Sequence, residues 1–249
     1  MLKRERQAYI LHQVNLHNKV LSTDLSLAID VSDDTIRRDL QELSDLGKII
    51  KVHGGALSNS FHKGYSSSLE IYSYQHKQTI AAKAASLIKN GMFVLTGGGT
   101  TILELARILP PQLQATFLCG SVPVLLEYLN HPNIEVISIG DKLSKNSKIS
   151  IGPEAIAKIK QTKCDLCFLG TNAIDIEHGV SDNDWDIVQV KKAMIESAQK
   201  FVCLTIAEKL HSIQPLQICS ITDIDILITE LPPEDPLLVP YVEAGITVL

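Results

Sequence analysis

The sequence lacks any apolar run near the roughly 20 residues that a helix needs to cross a bilayer. Its opening stretch, MLKRERQAYILHQV, mixes charges with apolar residues at helical spacing, so we expect no signal peptide. The five cysteines are an odd number scattered through apolar segments, which disfavours a disulfide framework and favours a reducing compartment. Together these absences predict a cytoplasmic protein with no membrane span.

An excess of positive charge is also missing, because 23 basic and 28 acidic residues give a net charge of −5. This balance excludes a protein that coats nucleic acid, although it leaves room for a small basic surface. The eight histidines show no metal-ligand spacing. Cys164 and Cys167 have redox spacing, but they fall inside an apolar strand without a second pair, so we interpret them as buried structural thiols. We expect neither a metal nor a cofactor.

Residues 1–57 combine three helical patterns with one hairpin pattern. The first helix is predicted over residues 3–16, and Ser22 is predicted to cap the second, TDLSLAID. Ser32 is predicted to cap the third helix, which ends at Gly47. Its apolar stripe consists of Ile36, Leu40, Leu43 and Leu46. The letters KIIKV, HGG and AL then predict two short strands joined by a tight turn. This set indicates a winged helix-turn-helix, whose third helix enters the major groove of DNA.

The outer face of the third helix and the hairpin supply the candidate DNA contacts. An arginine can bind guanine O6 and N7 with two hydrogen bonds, and basic side chains in a wing bind phosphates or the neighbouring minor groove. The predicted DNA-binding residues are Ser32, Thr35, Arg37, Arg38, Lys51 and His53. The alternative is an ordinary solvated helix face, on which Asp34, Asp39 or Glu42 neutralises the arginines.

A serine-rich stretch, SNSFHKGYSSS, follows the hairpin and predicts a linker over residues 58–73. Residues 74–249 then alternate apolar strands with helical stretches, which indicates a mostly parallel α/β sheet covered on both faces. The strands are predicted at 92–95, 115–119, 134–139, 164–169, 201–206 and 225–229. The sequence therefore predicts a DNA-binding domain over residues 1–57 and a second domain over residues 74–249.

Polar loops follow four of these strands, in the place where open parallel sheets bind ligands. The loop TGGGTT (96–101) leads straight into a helix, so its free backbone N–H groups form an anion cradle, although no Gly-Lys-Ser/Thr makes it a Walker A loop. GSVP (120–123), TNAID (171–175) and AEKL with Lys209 follow the other strands. Three glycines alone could be a flexible turn, but hydroxyls, glycines and a lysine at four strand ends favour a phosphorylated small polar ligand.

The stretch VSDDTIRRDLQELSDLGKIIKVHGGAL closely resembles the signature of DeoR-family bacterial transcriptional regulators, whose recognition helix carries TIRRDL and whose wing ends in VHGGA. The resemblance covers residues 3–57. It implies a sequence-specific DNA-binding repressor or, less often, an activator. By the same resemblance Thr35, Arg37 and Arg38 face DNA, with the wing around His53 and Gly54 supporting them.

A weaker resemblance covers residues 70–249, through KQTIAAKAASLIKNGMFV, FLGTNAIDIEHGVS, VKKAMIESA and ILITE. It implies an effector domain similar in fold to ribose-5-phosphate isomerase, which senses a phosphorylated sugar or polyol. The resemblance implies that Gly99, Thr100 and Thr101 hold the phosphate. The complete predicted effector site is Gly97, Gly98, Gly99, Thr100, Thr101, Ser121, Gly170 and Lys209.

Several residues depart from the family pattern. Gly97 and Gly98 replace Asp-Ser or Asp-Ala before the Gly-Thr-Thr, and Cys119-Gly120-Ser121 replaces Thr-Asn-Ser. Gly140-Asp141 replaces a Gly-Gly pair, and Ile206 replaces an aspartate. The missing side chains are those that would bind hydroxyls of the ligand, whereas the backbone N–H groups that would bind its phosphate remain. We therefore expect a phosphate ligand with a different or less hydroxylated carbon skeleton.

Two other functions compete with a metabolite-sensing regulator. A sugar-phosphate isomerase needs a carboxylate base near the substrate, and the acidic residues of 172–186 are more consistent with a solvated loop, so we expect no catalysis. A DNA-binding protein with a purely structural second domain is the other alternative. We expect a homo-oligomer that binds a double-stranded DNA operator, because two half-sites about one helical turn apart require two heads.

Overall fold

The computed structural model describes residues 1–62 and 71–249 and divides into two compact units, Met1–Tyr72 and Ser73–Leu249. The predicted linker, 58–73, contains the point of division. Its first residues belong to secondary structure, since a strand ends at Ser58 and a helical turn occupies Asn59–His62. The rest of its serine-rich core, residues 63–70, lies outside the described residues. No helix among the described residues is both long and apolar enough to cross a membrane.

The first unit is a winged helix-turn-helix. Its elements are α1 (Lys3–His17), β1 (Lys19–Leu21), α2 (Ser22–Ala28), α3 (Asp33–Asp45), β2 (Ile49–Val52), β3 (Gly55–Ser58) and α4 (Asn59–His62). The three predicted helices and the hairpin are confirmed. The sequence did not predict β1, which is only three residues long and pairs antiparallel with β3 to give the order β1-β3-β2.

Apolar side chains of α1 and α3 form the centre of this unit. Ile10 and Val14 of α1 and Ile36, Leu40 and Leu43 of α3 are almost fully buried. The predicted stripe on α3 is wrong at one position, because Leu46 is 65% exposed. Leu46 is the residue after the last helical one, so the stripe's spacing no longer applies to it.

Polar side chains beside these apolar contacts also join α3 to α1. Asp39 is buried and accepts hydrogen bonds from Arg6 and from Gln7, the latter at 3.2 Å. Gln7 also donates to Glu42 at 2.8 Å, and Lys3 pairs with the same carboxylate at 2.7 Å. The two acidic residues therefore hold α1 and are not available to the arginines of the outer face.

The second unit is built on a seven-stranded, entirely parallel sheet. The elements preceding its midpoint are α5 (Tyr74–Ala85), β4 (Phe93–Thr96), α6 (Thr100–Ile108), β5 (Ala115–Cys119), α7 (Val122–Leu129), β6 (Ile134–Ser138), β7 (Lys142–Leu143), β8 (Ser150–Ile151) and α8 (Pro153–Lys160). Those following it are β9 (Cys164–Gly170), β10 (Ala173–Asp175), β11 (Gly179–Asp182), α9 (Trp185–Glu196), β12 (Ala198–Leu204), β13 (Leu216–Cys219), β14 (Ile226–Ile228), α10 (Val239–Glu243) and β15 (Thr247–Val248).

The sheet has the order β15-β14-β12-β9-β4-β5-β6. From β4 the chain builds outward through β5 and β6, and then returns to β9 and builds outward in the other direction. The order therefore reverses between β4 and β9, and the carboxyl ends of these two strands define the crevice where open α/β sheets bind ligands. All six predicted strands are present, with shifts of up to three residues at their ends.

Two small antiparallel sheets in this unit were not predicted. They are the three-stranded β10-β11-β13 arrangement and the two-residue pair β7-β8. The five cysteines are free, and Cys164 and Cys167 are buried in β9. Burial raises the pKa of the Cys167 thiol well above its ordinary value, so the interpretation of these residues as structural thiols is confirmed.

The turn of the wing depends on two glycines with different roles. Gly54 has a φ of +74° and open space around it, whereas a Cβ on Gly55 would lie 1.9 Å from the carbonyl oxygen of Val20. Ser22 is the first residue of α2 rather than its predicted N-cap, and its N–H and hydroxyl both donate to the carbonyl of Gly54, at 2.8 and 3.0 Å. The wing is therefore fastened to β1 and to the start of α2.

Substituting Gly55 with alanine should separate β1 from β3, because the added methyl collides with backbone. We expect a loss of about 2–3 kcal/mol of stability and faster amide exchange in Lys19–Leu21, measured by hydrogen-exchange mass spectrometry of the full chain. Gly54→Ala is the matched control, in which the left-handed backbone costs about 1 kcal/mol and β1 keeps its protection. Equal exchange in the two variants would contradict the proposed close contact.

Candidate functional site

The first candidate surface begins at the N-terminus of α3. Ser32 is its N-cap, as predicted, since its Oγ accepts a hydrogen bond from the N–H of Thr35 at 3.3 Å. The hydroxyls of Ser32 and Thr35 are 2.8 Å apart. Asp33 and Asp34 lie in the first turn, where negative charge complements the helix dipole. This cap fixes where α3 starts and so fixes the direction in which the next two arginines project.

Arg37 and Arg38 project into solvent, with side chains 63% and 81% exposed. Each pairs with the aspartate one turn earlier, Arg37 with Asp33 at 2.7 Å and Arg38 with Asp34 at 3.8 Å. Exposed pairs of this kind contribute only about 0.3–0.5 kcal/mol, so a stronger anion can replace the aspartates. The two arginines therefore form a solvent-facing basic surface with weak internal partners.

A groove of about 350 Å³ separates α3 from the wing. Its lining residues are Ser22, Arg37, Leu40, Lys51, Val52, His53, Gly54 and Gly55. The fold thus brings together three of the predicted residues, Arg37, Lys51 and His53, while Ser32, Thr35 and Arg38 lie outside the lining. Lys51 donates to Gln41 of α3 at 2.9 Å, which ties the wing to the helix across the groove.

The second candidate site lies at the β4–β9 switch point, where the glycines of the TGGGTT loop have separate roles. A Cβ on Gly97 would lie 2.9 Å from the side chain of Leu169, and one on Gly98 would lie 2.6 Å from that of Ile149. Gly99 caps α6 with a φ of +102° and has open space around it. Gly97 and Gly98 therefore permit close packing, and Gly99 leaves the N-terminus of α6 open to an anion.

Ser121 faces the same loop from the end of β5. Its side chain is fully buried, and its Oγ has no hydrogen-bond partner among residues 1–62 and 71–249. The cavity that it lines has a volume of about 20 Å³, and its other lining residues are a set of apolar side chains together with Thr96, Gly97, Gly98, Gly120, Ser150 and Lys191. The apolar lining consists of Ile139, Ile149, Ile187, Val190 and Met194. The cavity has room for about one water-sized polar group beside this hydroxyl.

Gly170 and Lys209 lie beside this loop. A Cβ on Gly170 would be 3.8 Å from the carbonyl of Gly98, and the Lys209 ammonium donates to the carbonyl of Thr171 at 2.8 Å. Thr100 is buried and Thr101 half-buried in the first turn of α6. The predicted effector residues thus lie along the ends of β4, β5 and β9 and the turn after β12. Gly97, Gly98 and Ser121 line the small cavity, whereas the other five lie outside its lining.

Sequence reasoning missed a buried ion pair at the site. Lys191 of α9 donates to the carbonyl of Gly170 at 3.1 Å and pairs with Asp182 at 2.8 Å. Burial alone would raise the pKa of Asp182, but the Lys191 ammonium and hydrogen bonds from Asn172 and Asn183 hold it below its ordinary value. Lys191 occupies the inward stripe of α9 between Ile187 and Met194, and a lone lysine at an apolar position was the available signal.

Two departures from the family pattern have structural explanations. Asp141 accepts hydrogen bonds from the backbone N–H groups of Glu154 and Ala155, each at 3.0 Å, and so caps α8. Ile206 is buried, as an apolar residue there should be. Within residues 1–62 and 71–249, no group of three or more histidine, cysteine or acidic side chains is arranged to hold a metal ion.

Two family descriptions match the chain. The DeoR-like helix-turn-helix domain matches residues 6–61, and the DeoR C terminal sensor domain matches residues 72–231. The HTH-type transcriptional regulator GolR of Listeria innocua is 30% identical over 100% of this chain and 98% of its own. GlpR of Haloferax volcanii is 34% identical over 92% of this chain and 91% of its own. The glycerol-3-phosphate regulon repressor of Haemophilus influenzae is 29% identical over 92% and 90%.

Among solved structures, ribose 5-phosphate isomerase A from Neisseria gonorrhoeae is 14% identical, with a TM-score of 0.40 over 54% of this chain and 52% of that one. The two DeoR domain matches together cover far more of the chain than this structural match does.

The Asp182–Lys191 pair should make stability depend on acidity. Because the folded-state pKa of Asp182 is lowered, its contribution is complete above the unfolded value of about 3.9 and is lost as the pH falls through the folded value. Asp182→Asn should cost about 3 kcal/mol at pH 7 and flatten the fall in Tm between pH 4 and pH 3, followed by calorimetry. The exposed Asp186→Asn serves as control. Parallel Tm curves for wild type and Asp182→Asn would refute this assignment.

Proposed function

The chain belongs to the DeoR family of DNA-binding transcriptional regulators, and from this premise we propose that it represses carbohydrate-metabolism genes until a phosphorylated sugar or polyol binds its second unit. In this proposal α3 and the wing bind an operator in double-stranded DNA. The proposed parts are a DNA-binding domain over residues 1–57, a linker over 58–73 and an effector domain over 74–249. The proposed protein is cytoplasmic.

The observation that supports the DNA-binding surface best is the groove between α3 and the wing, with Arg37, Lys51 and His53 on its walls. In a winged helix-turn-helix the third helix enters the major groove, led by its N-terminal residues. Ser32 is the cap of α3, and Thr35, Arg37 and Arg38 lie among the first six residues of the helix. We propose that the arginines read base edges, and that Lys51 and His53 bind phosphates or the adjacent minor groove.

The effector is proposed to bind where β4 and β9 end. Backbone N–H groups at Gly99–Thr101 and the buried Lys209 suit a phosphate. The polar side chains that line the adjacent cavity are Thr96, Ser121, Ser150 and Lys191. A carbon skeleton with fewer hydroxyls than a hexose is proposed because the aspartate and asparagine expected from the family pattern are absent at positions 97 and 120. The Haemophilus influenzae relative is named for a glycerol-3-phosphate regulon, and glycerol 3-phosphate has such a short skeleton.

We propose that this chain is not an enzyme. Sugar-phosphate isomerisation needs a carboxylate whose pKa allows it to accept and return a proton. The small cavity has no carboxylate in its lining. The buried carboxylate beside it, Asp182, is held ionised by Lys191, which makes it a poor base.

The regulatory step is proposed to involve a homo-oligomer. A ligand changes DNA affinity only if it binds the DNA-competent and incompetent states unequally. Two heads on half-sites about one helical turn apart would make operator affinity sensitive to head spacing. An effector that changes how the second units pair would therefore release DNA.

The DNA-binding surface is tested by fluorescence anisotropy on labelled DNA flanking the chain's own gene. Arg37→Ala and Arg38→Ala should each cost about 1–3 kcal/mol on the operator and less on random DNA. Lys51→Ala should weaken binding to both DNAs equally. It should also lower the slope of log affinity against log salt concentration by about one. Lys89→Ala, an exposed lysine of the other unit, is the control. Arginine variants with wild-type discrimination between the two DNAs would refute base reading by these residues.

The effector pocket is tested on the same complex with a panel of sugar and polyol phosphates and their unphosphorylated parents. A phosphorylated compound should release the DNA. Ser121→Ala should lower the affinity of the protein for that compound by about 3–10-fold, because one hydrogen bond is lost. Ser147→Ala is a matched control, because the Ser147 hydroxyl is also buried without a partner among the described residues but lies outside the cavity lining. If a plain hexose phosphate bound more tightly than every other compound, the proposal that the effector has a less hydroxylated carbon skeleton would be refuted.

A further inference from the structure

The seven-stranded sheet ends in two very different edge strands. At one edge β15 has only two residues, which limits its pairing with another chain. At the other edge β6 has five residues, and three of them are isoleucine or valine. Natural proteins shorten, charge or cover the edges of their sheets, because an exposed edge pairs with other strands. The edge that is open to another strand is therefore β6.

The backbone of β6 presents polar groups along this edge. Ile139 donates its N–H to the carbonyl of Cys119 at 3.0 Å, so the odd-numbered residues of the strand bond to β5 and the even-numbered ones face outward. The outward N–H and C=O of Val136 have no partner in the part of the chain that the structure describes. The outward carbonyl of Ser138 accepts a hydrogen bond from the Lys158 ammonium, and its second lone pair can accept another.

An apolar side of α7 lies above the same edge. Glu127 pairs with Arg107 of α6 at 3.0 Å, so that side of α7 faces its neighbouring helix. Helix α6 contacts β9, farther inside the sheet, whereas α7 contacts β5 and β6. Leu125 and Leu129, two residues to either side of Glu127, lie on the opposite side of the helix and face past β6. Leu125 is half-buried and Leu129 is 67% exposed, and Val122 and Leu126 extend this apolar surface.

The charges on the other face of the sheet are complementary to themselves. Ile137 packs against the core that includes α8, and Glu135, two residues earlier, lies on the same face. Glu135 is exposed near the start of β6, while Lys158 of α8 contacts the end of the strand. In an antiparallel pair of β6 strands, the start of one strand lies beside the end of the other. Each Glu135 then lies next to the Lys158 of the second chain, and this contact occurs twice.

We infer that two copies of this chain join through β6, in an antiparallel strand pair centred on Val136 that continues one sheet across both second units. This inference rests on the proposed function, in that it names the contact by which the proposed homo-oligomer forms. A two-fold axis places each feature of this edge against itself, as a dimer of identical chains requires. A second copy therefore satisfies the strand edge, the apolar side of α7 and the two charge pairs at once.

The spacing of the elements agrees with this pairing. Neighbouring strands are about 4.8 Å apart, and α7 lies over β5 and β6. Each α7 is therefore about 5 Å from the axis between the two β6 strands, and the two α7 helices are about 10 Å apart. Packed helices have interaxial distances of about 8–10 Å. The strand pair thus brings the apolar sides of the two helices into contact without a gap.

The same contact lies next to the proposed effector site along the chain. Helix α7 begins at Val122, directly after Ser121, whose buried hydroxyl has no partner among residues 1–62 and 71–249. A ligand group bound at Ser121 therefore acts on the first turn of a helix that packs across the two-fold axis. This is a direct route by which an effector changes how two chains, and with them two heads, are paired.

The first test is the oligomeric state of the full chain, without DNA or ligand, by sedimentation velocity at low salt. The wild type should sediment as a dimer or as a multiple of one. Glu135→Lys and Lys158→Glu should each raise the dissociation constant by at least about tenfold, because like charges then meet twice. The double variant should restore the wild-type value. Lys163→Glu, at an exposed lysine just before β9, is the matched control and should assemble as the wild type does.

The second test is a disulfide across the axis. In the proposed pairing the two Val136 residues are opposite each other with Cα atoms about 5.5 Å apart, which a disulfide can span. Oxidised Val136→Cys should therefore run as a covalent dimer on a non-reducing gel, whereas the wild type with its own cysteines should not. Adding Leu129→Glu should reduce the cross-link by at least about tenfold. Adding Ile213→Glu, at a side chain that is 50% exposed elsewhere, should not.

A monomeric wild type would overturn the inference. So would charge reversals that leave assembly unchanged, a double variant that assembles no better than the single ones, or an assembled Val136→Cys protein that forms no cross-link. Thermal unfolding of every variant identifies any that does not fold, and for such a variant the remaining charge reversal and the cross-link decide. The proposed function fails separately, if no phosphorylated metabolite moves the protein from its operator, because assembly is measured on the free chain.

Discussion

The pairing of β4 with β9 is the constraint on which the second unit depends. The chain builds the sheet outward from these two strands in opposite directions, so the loops after them have no crossover helix between them and face one crevice. Gly97 donates its N–H to the carbonyl of Phe168 at 3.0 Å, which extends the pairing one residue beyond the end of β4. Ser121, Lys191 and Lys209 reach the crevice only because β5, α9 and β12 are the neighbours of this pair.

In the first unit the acidic and basic side chains in the middle of α3 have different roles. Asp39 and Glu42 are occupied by Arg6, Gln7 and Lys3 of α1, so the helix is held by polar bonds in addition to its apolar stripe. Arg37 and Arg38 on the outer side pair with the half-buried Asp33 and the exposed Asp34. A chain with a net negative charge can thus present exposed arginines on α3, because Asp39 and Glu42 of the same helix are bound to α1.

Elements with strong local signals could be predicted from the sequence, and elements defined by distant partners could not. The cap at Ser32, the hairpin and six of the seven strands of the parallel sheet follow from periodicity and turn residues that act locally. The strand β1 exists because it pairs with β3, some 35 residues later, and three residues carry no period of their own. The same holds at the crevice. The glycine loop and Lys209 were visible as strand-end residues, whereas Lys191 lies in a helix and becomes relevant only through the fold.

The close packing around Gly97 and Gly98 means that a larger residue at either position must displace a neighbour. A Cβ at position 98 would meet the δ-carbon of Ile149 at 2.6 Å, and one at position 97 would meet a δ-carbon of Leu169 at 2.9 Å. Both atoms are the far ends of flexible side chains, so a substitution in the loop requires a new rotamer of Ile149 or Leu169. The glycine loop and the wall opposite it are therefore energetically coupled, and substitutions made on the two sides should not be additive in their effect on stability.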